Sequence, residues 1–182
     1  TGATITSFAL KGAVKKALEQ AKVSKADMAK LMKNSEKYTA LPAEIKTNVV
    51  VVGGGGSGLA SAIAAQQAGA KVIVLEKLGI LGGSTNVSEG ALNAADPQRQ
   101  GKQGIEDSIQ KHYEQTMKGG HNIGNPELVH YLTDHALESV HWLESIGVKF
   151  KDEVGTATGA LWQRSHYPAT PSGNTYIRSF EK

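Results

Sequence analysis

The spacing of hydrophobic residues changes along the chain from helical periods to continuous, strand-like runs. Over residues 8–33, apolar positions recur at helical spacing, which predicts a helical segment in two pieces. Residues 34–47 are polar and have no clear period, so they predict a linker. We therefore expect a short helical segment that the linker separates from a second domain, which begins at Asn48.

A strand–helix–strand unit is predicted at the start of the second domain. Four consecutive β-branched residues, Val49–Val52, are typical of a strand that is buried on both faces of a parallel sheet. Glycine-rich residues 53–58 interrupt the run, and alanine-rich residues 59–67 favour a helix. Residues 71–75 form a second apolar run, which ends at Glu76. A short crossover of this kind predicts a right-handed parallel unit.

The later helices are indicated by their periods and by their ends. Apolar residues spaced over positions 105–117 predict one helix. Asn125 followed by Pro126 is typical of an N-cap with proline at the first helical position, and Gly147 would end that helix. Residues 155–173 are rich in Gly, Thr, Ser and Pro, which predicts an irregular loop. The expected apolar stripe of the helix after Asn125 consists of Leu128, Val129, Leu132, Ala136, Val140 and Leu143.

Composition limits the classes of function. With 40% hydrophobic and 20% charged residues among 182, the chain is typical of a globular protein. Its lysines are scattered and its formal charge is only +3, so we expect no nucleic-acid partner, which would require a basic patch. No apolar run approaches the roughly 18 residues of a membrane span. The absence of cysteine excludes disulfides and thiolate metal sites, and it slightly favours a periplasmic protein over a cytoplasmic one.

A glycine motif lies between the first predicted strand and its helix. The pattern Gly53-x-Gly55-x-x-Gly58 fits the dinucleotide fingerprint in its required context. Gly53 permits the tight turn, Gly55 lets the backbone approach a diphosphate, and Gly58 allows helix and strand to pack closely. The helix N-terminus would bind the diphosphate, and Glu76 would accept hydrogen bonds from both ribose hydroxyls, which argues against NADP. The alternative is a glycine-rich turn of an unrelated fold, with Glu76 in solvent.

A second stretch of small residues follows Glu76. Gly82, Gly83, Ser84 and Thr85 form a loop, and Gly90 comes soon after it. Such a loop could pack against an extended diphosphate and donate backbone and hydroxyl hydrogen bonds. An NAD domain would usually pass straight into its next helix here, so the loop favours FAD over NAD. The alternative is a flexible loop without a ligand.

Residues 49–95 together resemble the FAD-binding domain of the fumarate reductase and flavocytochrome c group. The matching pieces are VVVVGGGGSG, AGAKVIVLEK, LGGSTNVSEGALNAA and TMKGGHNIGNPELV, and the resemblance extends over residues 48–164. The last piece is characteristic of the group's soluble members. The resemblance implies an α/β, doubly wound (Rossmann-like) FAD-binding domain that is incomplete in this chain. It implies FAD contacts at Gly53, Gly55, Ser57, Gly58, Glu76, Lys77, Gly82, Gly83, Ser84, Thr85 and Gly90.

A second resemblance lies at the start of the chain. Thr1–Ser7 is similar to the end of the acceptor motif of FMN-binding domains, in which a flavin transferase attaches FMN to the second threonine. By that match Thr4 would carry covalent FMN. The alternative is that Thr4 is an N-cap residue that opens the helix from Phe8. The expected organisation is the helical C-terminal part of an FMN-binding domain (residues 1–33), a linker (34–47) and the N-terminal part of an FAD-binding domain (48–182).

This order of domains is similar to that of urocanate reductases and related fumarate, acrylate and methacrylate reductases. It implies electron transfer from covalent FMN to FAD, and then hydride transfer to the C=C bond of an unsaturated carboxylate such as urocanate or fumarate. The implied electron donor is a cytochrome, a quinol-linked protein or an NADH-linked domain. The family's catalytic arginines and histidine would come after Lys182, so we expect no catalytic residue in this chain. The alternatives are a flavin electron-transfer module and a flavin oxidase or dehydrogenase of the same fold.

The other chemically notable side chains are expected to be structural. Arg164, His166 and Arg178 match no family motif, and we expect Arg164 and His166 to be loop residues. Trp142 is expected in the core. No pair of helical histidines has the i, i+4 spacing with a third ligand that zinc requires, so we expect no metal site. The histidines expected at solvated helix positions are His112, His130, His135 and His141.

Overall fold

The fold was analysed in a computed structural model of the chain. It divides into two compact units, Thr1–Ile45 and Lys46–Lys182. In the first unit, residues 12–14 and 16–20 are helical, in line with the predicted helical segment. Thr4 and much of the expected linker lie outside the described residues, and the domain boundaries remain a prediction. The structure describes residues 12–14, 16–24, 26, 27, 42–170 and 172–182.

The second unit opens with the predicted strand–helix–strand arrangement. Strand β1 is Val49–Val52, helix α1 is Gly56–Gln67 and strand β2 is Val72–Leu75. The two strands are parallel, and Val49 lies opposite Val72. The parallel pairing confirms the prediction, because only a crossover connection such as α1 returns the chain to the same end of a sheet.

The expected burial of β1 on both faces is wrong within the described residues. Val50 and Val52 are 54% and 83% exposed, whereas Val49 and Val51 are half-buried. Side chains alternate between the faces of a strand, and α1 packs on the face that carries Val51. The β-branched run therefore indicated the strand correctly, but it did not indicate which faces are covered.

The rest of the second unit is mainly helical. A 3₁₀ helix lies between strand β2 and strand β3. Strand β3 pairs antiparallel with β4, and Leu92 lies opposite His166. The expected irregular loop therefore contains a short strand, because backbone groups near residue 165 pair with those near residue 93. The bounds are Gly83–Val87 for the 3₁₀ helix, Leu92–Asn93 for β3, Pro97–Lys102 for α2, Ile109–Gly119 for α3, Pro126–Ser145 for α4, Ser165–His166 for β4 and Asn174–Phe180 for α5.

Helix ends follow the signals in the sequence. The Asn125 side chain accepts hydrogen bonds from the N–H groups of Glu127 (2.9 Å) and Leu128 (3.3 Å), which confirms the N-cap of α4. Gly147 has a φ of +96°, as expected just beyond a helix end. Helix α3 begins later than predicted, because Ser108 caps it and accepts a hydrogen bond from the N–H of Lys111.

The core lies where α4 packs against the segments that follow it. Ala136, Val140 and Leu143 of α4 are buried together with Val148 and Phe150. Trp142 is half-buried against this core, as expected. The predicted stripe is wrong in the first turns of α4, since Leu128 and Leu132 are 69% and 58% exposed. Among the residues that the structure describes, no helix has the length and apolar character of a membrane span.

Candidate functional site

The glycine turn places the start of α1 directly beyond the end of β1. Gly53 has a φ of +104°, and its N–H donates to the carbonyl oxygen of Leu75 at 2.7 Å. A Cβ atom at Gly58 would lie only 1.9 Å from the carbonyl oxygen of Gly53. A side chain at position 58 would therefore force helix and strand apart, as the predicted role of this glycine requires.

No side chain caps the N-terminus of α1. Gly55 is the N-cap in an extended conformation. The first N–H groups of a helix have no carbonyl partner within it, and they carry the positive end of the helix dipole. Ser57, in this first turn, is exposed. These groups could bind a diphosphate through backbone N–H donors.

The carboxylate of Glu76 lies beside the glycine turn. One of its oxygens accepts a hydrogen bond from the N–H of Gly54 at 2.7 Å, and the other accepts one from Leu78 at 2.8 Å. These two bonds, Leu78 first and then Gly54, lower the pKa of Glu76, and the neighbouring, exposed Lys77 adds a smaller effect. A carboxylate oxygen can accept more than one hydrogen bond, so Glu76 retains capacity for sugar hydroxyls.

The loop after Glu76 packs against the same turn. The N–H of Gly82 donates to the carbonyl oxygen of Gly54 at 2.7 Å, and Gly82 has a φ of +106°. The Thr85 side chain lies against the start of α1, since a Cβ atom at Gly56 would be 2.5 Å from its Oγ1. Gly83 and Ser84 are exposed. The structure thus brings Gly82–Thr85 together with the glycine turn and Glu76.

Gly90 is held by a segment that sequence reasoning missed. It has a φ of +84°, and a Cβ atom there would lie 2.8 Å from the carbonyl carbon of Ser172. The hydroxyl of buried Tyr176 donates to the carbonyl oxygen of Gly90 at 2.6 Å. A Cβ atom at Gly173 would lie 1.9 Å from the carbonyl oxygen of Thr85. The segment around Gly173 therefore packs closely against the second glycine loop, Gly82–Gly90. In the sequence, only Gly173 itself signals this contact.

Arg164 and His166 are both buried. Arg164 is a loop residue just before β4, as expected, whereas His166 lies in β4, so its expected loop position is wrong. Arg164 is 4% exposed and donates to both carboxylate oxygens of Asp107, at 2.8 and 2.7 Å. His166 is fully buried in β4, and its Nε2 lies 3.1 Å from Oδ2 of Asp96. Both side chains are satisfied by carboxylates of distant segments, and this long-range pairing leaves no local signal in the sequence.

Asp96 joins this buried network and caps helix α2. Its Oδ1 accepts hydrogen bonds from the N–H groups of Gln98 and Arg99, and Arg99 also pairs with Glu144. Burial alone would raise the pKa of Asp96, but the bonds from Arg99 and His166 outweigh burial and lower the pKa to about 2. The Asp96-Pro97 pair is the same N-cap signature as Asn125-Pro126, and it could have indicated α2.

His112 is also buried, contrary to the expected solvated position. It is 5% exposed, and burial together with the charge of Arg164 lowers its pKa to about 4. It lines a cleft of about 250 Å³ between α3 and residues 159–164, and its Nδ1 has no hydrogen-bond partner. His130, His135 and His141 are exposed, as expected. Within the described ranges, no cluster of His, Cys, Asp or Glu could hold a metal ion.

Comparisons with known proteins identify the family of this chain. Residues 48–178 match the family described as FAD binding domain. The chain is 43% identical over 126 residues to fumarate reductase (cytochrome) of Shewanella frigidimarina. This alignment covers 69% of the present chain and 22% of the relative. It is 36% identical over 181 residues to urocanate reductase of Eggerthella lenta, and this alignment covers 98% of the present chain and 27% of the relative.

A solved structure shows the same fold. The open conformation of a flavocytochrome c3 fumarate reductase superposes with a TM-score of 0.71 and 32% sequence identity. The match covers 87% of this chain and 27% of the solved chain. It supports the α/β fold class expected from the sequence. The chain therefore spans about a quarter of the length of the proteins that it resembles.

Proposed function

The chain belongs to the FAD binding domain family, and on this premise we propose that it holds FAD at the junction of the glycine turn, Glu76 and the second glycine loop. The observation that carries the proposal is the N-terminus of α1 without a side-chain cap, with the Glu76 carboxylate hydrogen-bonded to Gly54 beside it. The amides would bind the diphosphate, and the carboxylate would bind the adenosine ribose. The residues assigned to FAD are Gly53, Gly55, Ser57, Gly58, Glu76, Lys77, Gly82, Gly83, Ser84, Thr85 and Gly90.

The glycines at the junction pack closely against neighbouring side chains. A Cβ atom would lie 2.5 Å from Leu81 at Gly54, 2.5 Å from Thr85 at Gly56 and 2.7 Å from Asn86 at Gly82. Glu76 would also repel a phosphate on the ribose, which favours an unphosphorylated ribose. When bound, FAD would supply the hydride for reduction of a substrate. The chain's own residues would bind and orient the cofactor.

For the whole protein we propose reduction of the C=C bond of an unsaturated carboxylate, of the urocanate or fumarate type. The relatives are named fumarate reductase and urocanate reductase, and this supports the substrate class. The match to urocanate reductase extends over 98% of the chain and so includes residues before the FAD domain. Its extent supports the two-flavin arrangement, with residues 1–33 as the end of an FMN-binding domain.

We propose that Thr4 carries covalent FMN and that electrons pass from FMN to FAD. A tethered flavin cannot dissociate, which suits a relay between two domains. In this proposal the protein is periplasmic, and a cytochrome or quinol-linked protein supplies electrons. A cytoplasmic protein would instead use an NADH-linked domain.

Titration of the full-length apoprotein with FAD tests the site. Glu76→Gln keeps the size of the side chain but removes its charge, and FAD affinity should fall about 10- to 100-fold, since a hydrogen bond to a charged group contributes about 1.5–3 kcal/mol. Glu153→Gln, at an exposed position, is the matched control and should leave the affinity unchanged. Equal affinity of the Glu76→Gln and wild-type proteins would contradict the ribose role.

Mass spectrometry of the full-length protein from its native host tests the relay. A peptide with residues 1–11 should carry the mass of FMN, and FAD should be released on unfolding. Thr4→Ala should abolish the added mass and leave FAD release intact. If wild-type protein yields FAD alone, the relay hypothesis fails, and a flavin oxidase or dehydrogenase of this fold becomes the better proposal. Anaerobic assays with urocanate, fumarate and acrylate would then identify the substrate, and lack of turnover with all three would favour an electron-transfer module.

A further inference from the structure

His166 is surrounded by atoms that can only accept hydrogen bonds. Its side chain is fully buried. Nε2 lies 3.1 Å from Oδ2 of Asp96, while Nδ1 lies 3.2 Å from the carbonyl oxygen of Arg164 and 3.3 Å from that of Leu92. Phe150 covers the ring edge-on, with ring centroids 6.0 Å apart, and offers no polar atom.

A neutral imidazole cannot satisfy this environment. It has one N–H donor and one bare nitrogen, so the bare nitrogen would face the lone pairs of an oxygen in a fully buried site. Asp96 has no proton to supply, because its Oδ1 accepts hydrogen bonds from the N–H groups of Gln98 and Arg99 and its Oδ2 accepts one from Nη1 of Arg99. We propose that His166 is a buried imidazolium that carries a proton on both ring nitrogens and positions the strand after the second glycine loop.

A charged ring at His166 would be paired with a carboxylate. Asp96 is buried and also pairs with Arg99, which in turn pairs with Glu144, whose side chain is 33% exposed. An imidazolium at His166 would place a second positive charge beside the Asp96 carboxylate. The guanidinium of Arg164, just before β4, is paired separately with Asp107.

The contacts of His166 reach the proposed cofactor site through the backbone. Leu92, whose carbonyl oxygen accepts from Nδ1, begins the strand that follows Gly90. Asp96, which accepts from Nε2, lies at the other end of the same stretch and caps α2. His166 thus contacts residues 92–96 at both ends, and this stretch continues in sequence from Gly90, the last residue of the second glycine loop. This positioning role rests on the proposed function as an FAD site.

Nitrogen NMR of the full-length, FAD-loaded protein with ¹⁵N-labelled histidine tests the charge. At neutral pH both ring nitrogens of His166 should resonate as protonated nitrogens, each coupled to a hydrogen. His112 gives the internal contrast, because it is buried and its pKa is about 4, so one of its nitrogens should be bare. Assignments come from His166→Gln and His112→Gln. A bare nitrogen on His166 overturns the proposal, and this result does not depend on whether FAD binds.

FAD affinity tests the positioning role. His166→Gln keeps one donor group but no charge, and the affinity should fall about tenfold. His166→Lys, which keeps a charge and donors, should recover part of that loss. His141→Gln, at an exposed position, is the control and should have no effect. Unchanged affinity in His166→Gln, or an equal loss in the lysine variant, overturns the positioning role. Failure of the wild-type protein to bind FAD would instead count against the proposed function.

Discussion

Gly58 and the carbonyl oxygen of Gly53 make the closest approach in the glycine turn. A Cβ atom at position 58 would lie 1.9 Å from that oxygen and 3.3 Å from Cγ1 of Val51. The oxygen belongs to backbone, so it cannot move aside as a flexible side chain could. Only a shift of α1 away from β1 would relieve the overlap, and that shift would displace the amides that we assign to the diphosphate.

Gly58→Ala should therefore reduce FAD affinity at least about tenfold, which corresponds to about 1.4 kcal/mol. The measurement is a fluorescence titration of the full-length apoprotein with FAD. Gly101→Ala is the matched control, because a Cβ atom there meets nothing within 4 Å. It should leave FAD affinity unchanged and raise the free energy of unfolding by up to about 1 kcal/mol, since alanine favours a helix. Normal FAD affinity in Gly58→Ala would contradict the role assigned to the turn.

Asp96 should make stability fall in acid. Its pKa is lowered to about 2 in the folded protein, so its contribution is present above the ordinary carboxyl pKa and is lost as the pH falls through the folded value. We expect the free energy of unfolding to decrease by about 2 kcal/mol between about pH 5 and pH 2 from this residue. Urea denaturation at each pH measures it.

Asp96→Asn should weaken this acid dependence, whereas Asp152→Asn, at an exposed position, should not. The pKa of Asp107 is also lowered, because its hydrogen bonds from Arg164 and Gln100 outweigh the effect of burial. Asp107 should therefore retain part of the acid dependence of stability in Asp96→Asn. An acid profile of Asp96→Asn identical to that of the wild type would show that the buried pair does not contribute.

The local geometry of the glycine motif and Glu76 could be predicted, because these residues belong to one short stretch of sequence. Each glycine has a task set by its own backbone or by the adjacent strand. His166 and Asp96 could not be predicted as partners, since 70 positions separate them and neither lies in a motif. The need for glycine at position 173 could not be predicted either. It arises from close packing against Thr85 in a distant segment, and no local sequence pattern indicates that contact.

At the scale of elements, α4 depends on a single side chain at its start. Asn125→Ala would leave the first N–H groups of the helix without the acceptor that they have now. We expect a loss of about 1 kcal/mol in the free energy of unfolding, measured by chemical denaturation. Asn125→Asp keeps an acceptor and adds a favourable charge at the helix N-terminus, so it should retain the stability. Equal losses in both variants would argue against capping as the cause.

Elements with a clear period were predicted well, and short ones were not. The unit of β1, α1 and β2 follows from its local pattern of apolar and glycine residues. Strands β3 and β4 have two residues each, which is too few for a period to be visible. The exposure of Leu128 and Leu132 could not be predicted either, because the period of a helix does not tell which of its turns meets a neighbour.

At the scale of the whole molecule, we expect the isolated chain to bind its cofactor but not to turn over a substrate. The chain spans 22% and 27% of the length of the two reductases. Two of its arginines, Arg99 and Arg164, are already paired with carboxylates and cannot also clamp a substrate. The isolated 182-residue chain should therefore bind FAD without reducing urocanate, fumarate or acrylate. Anaerobic absorbance assays measure this, and turnover by the isolated chain would contradict it.

The close packing of Gly173 on Thr85 also constrains how such a domain can be re-engineered. Transplanting the segment from Gly82 to Gly90 into another nucleotide-binding scaffold would remove its support, because the Ser172–Tyr176 stretch holds it from outside. A functional graft would have to move both pieces together. By the same reasoning, insertions should be tolerated poorly between Ser172 and Tyr176, although that stretch is far from the fingerprint in the sequence.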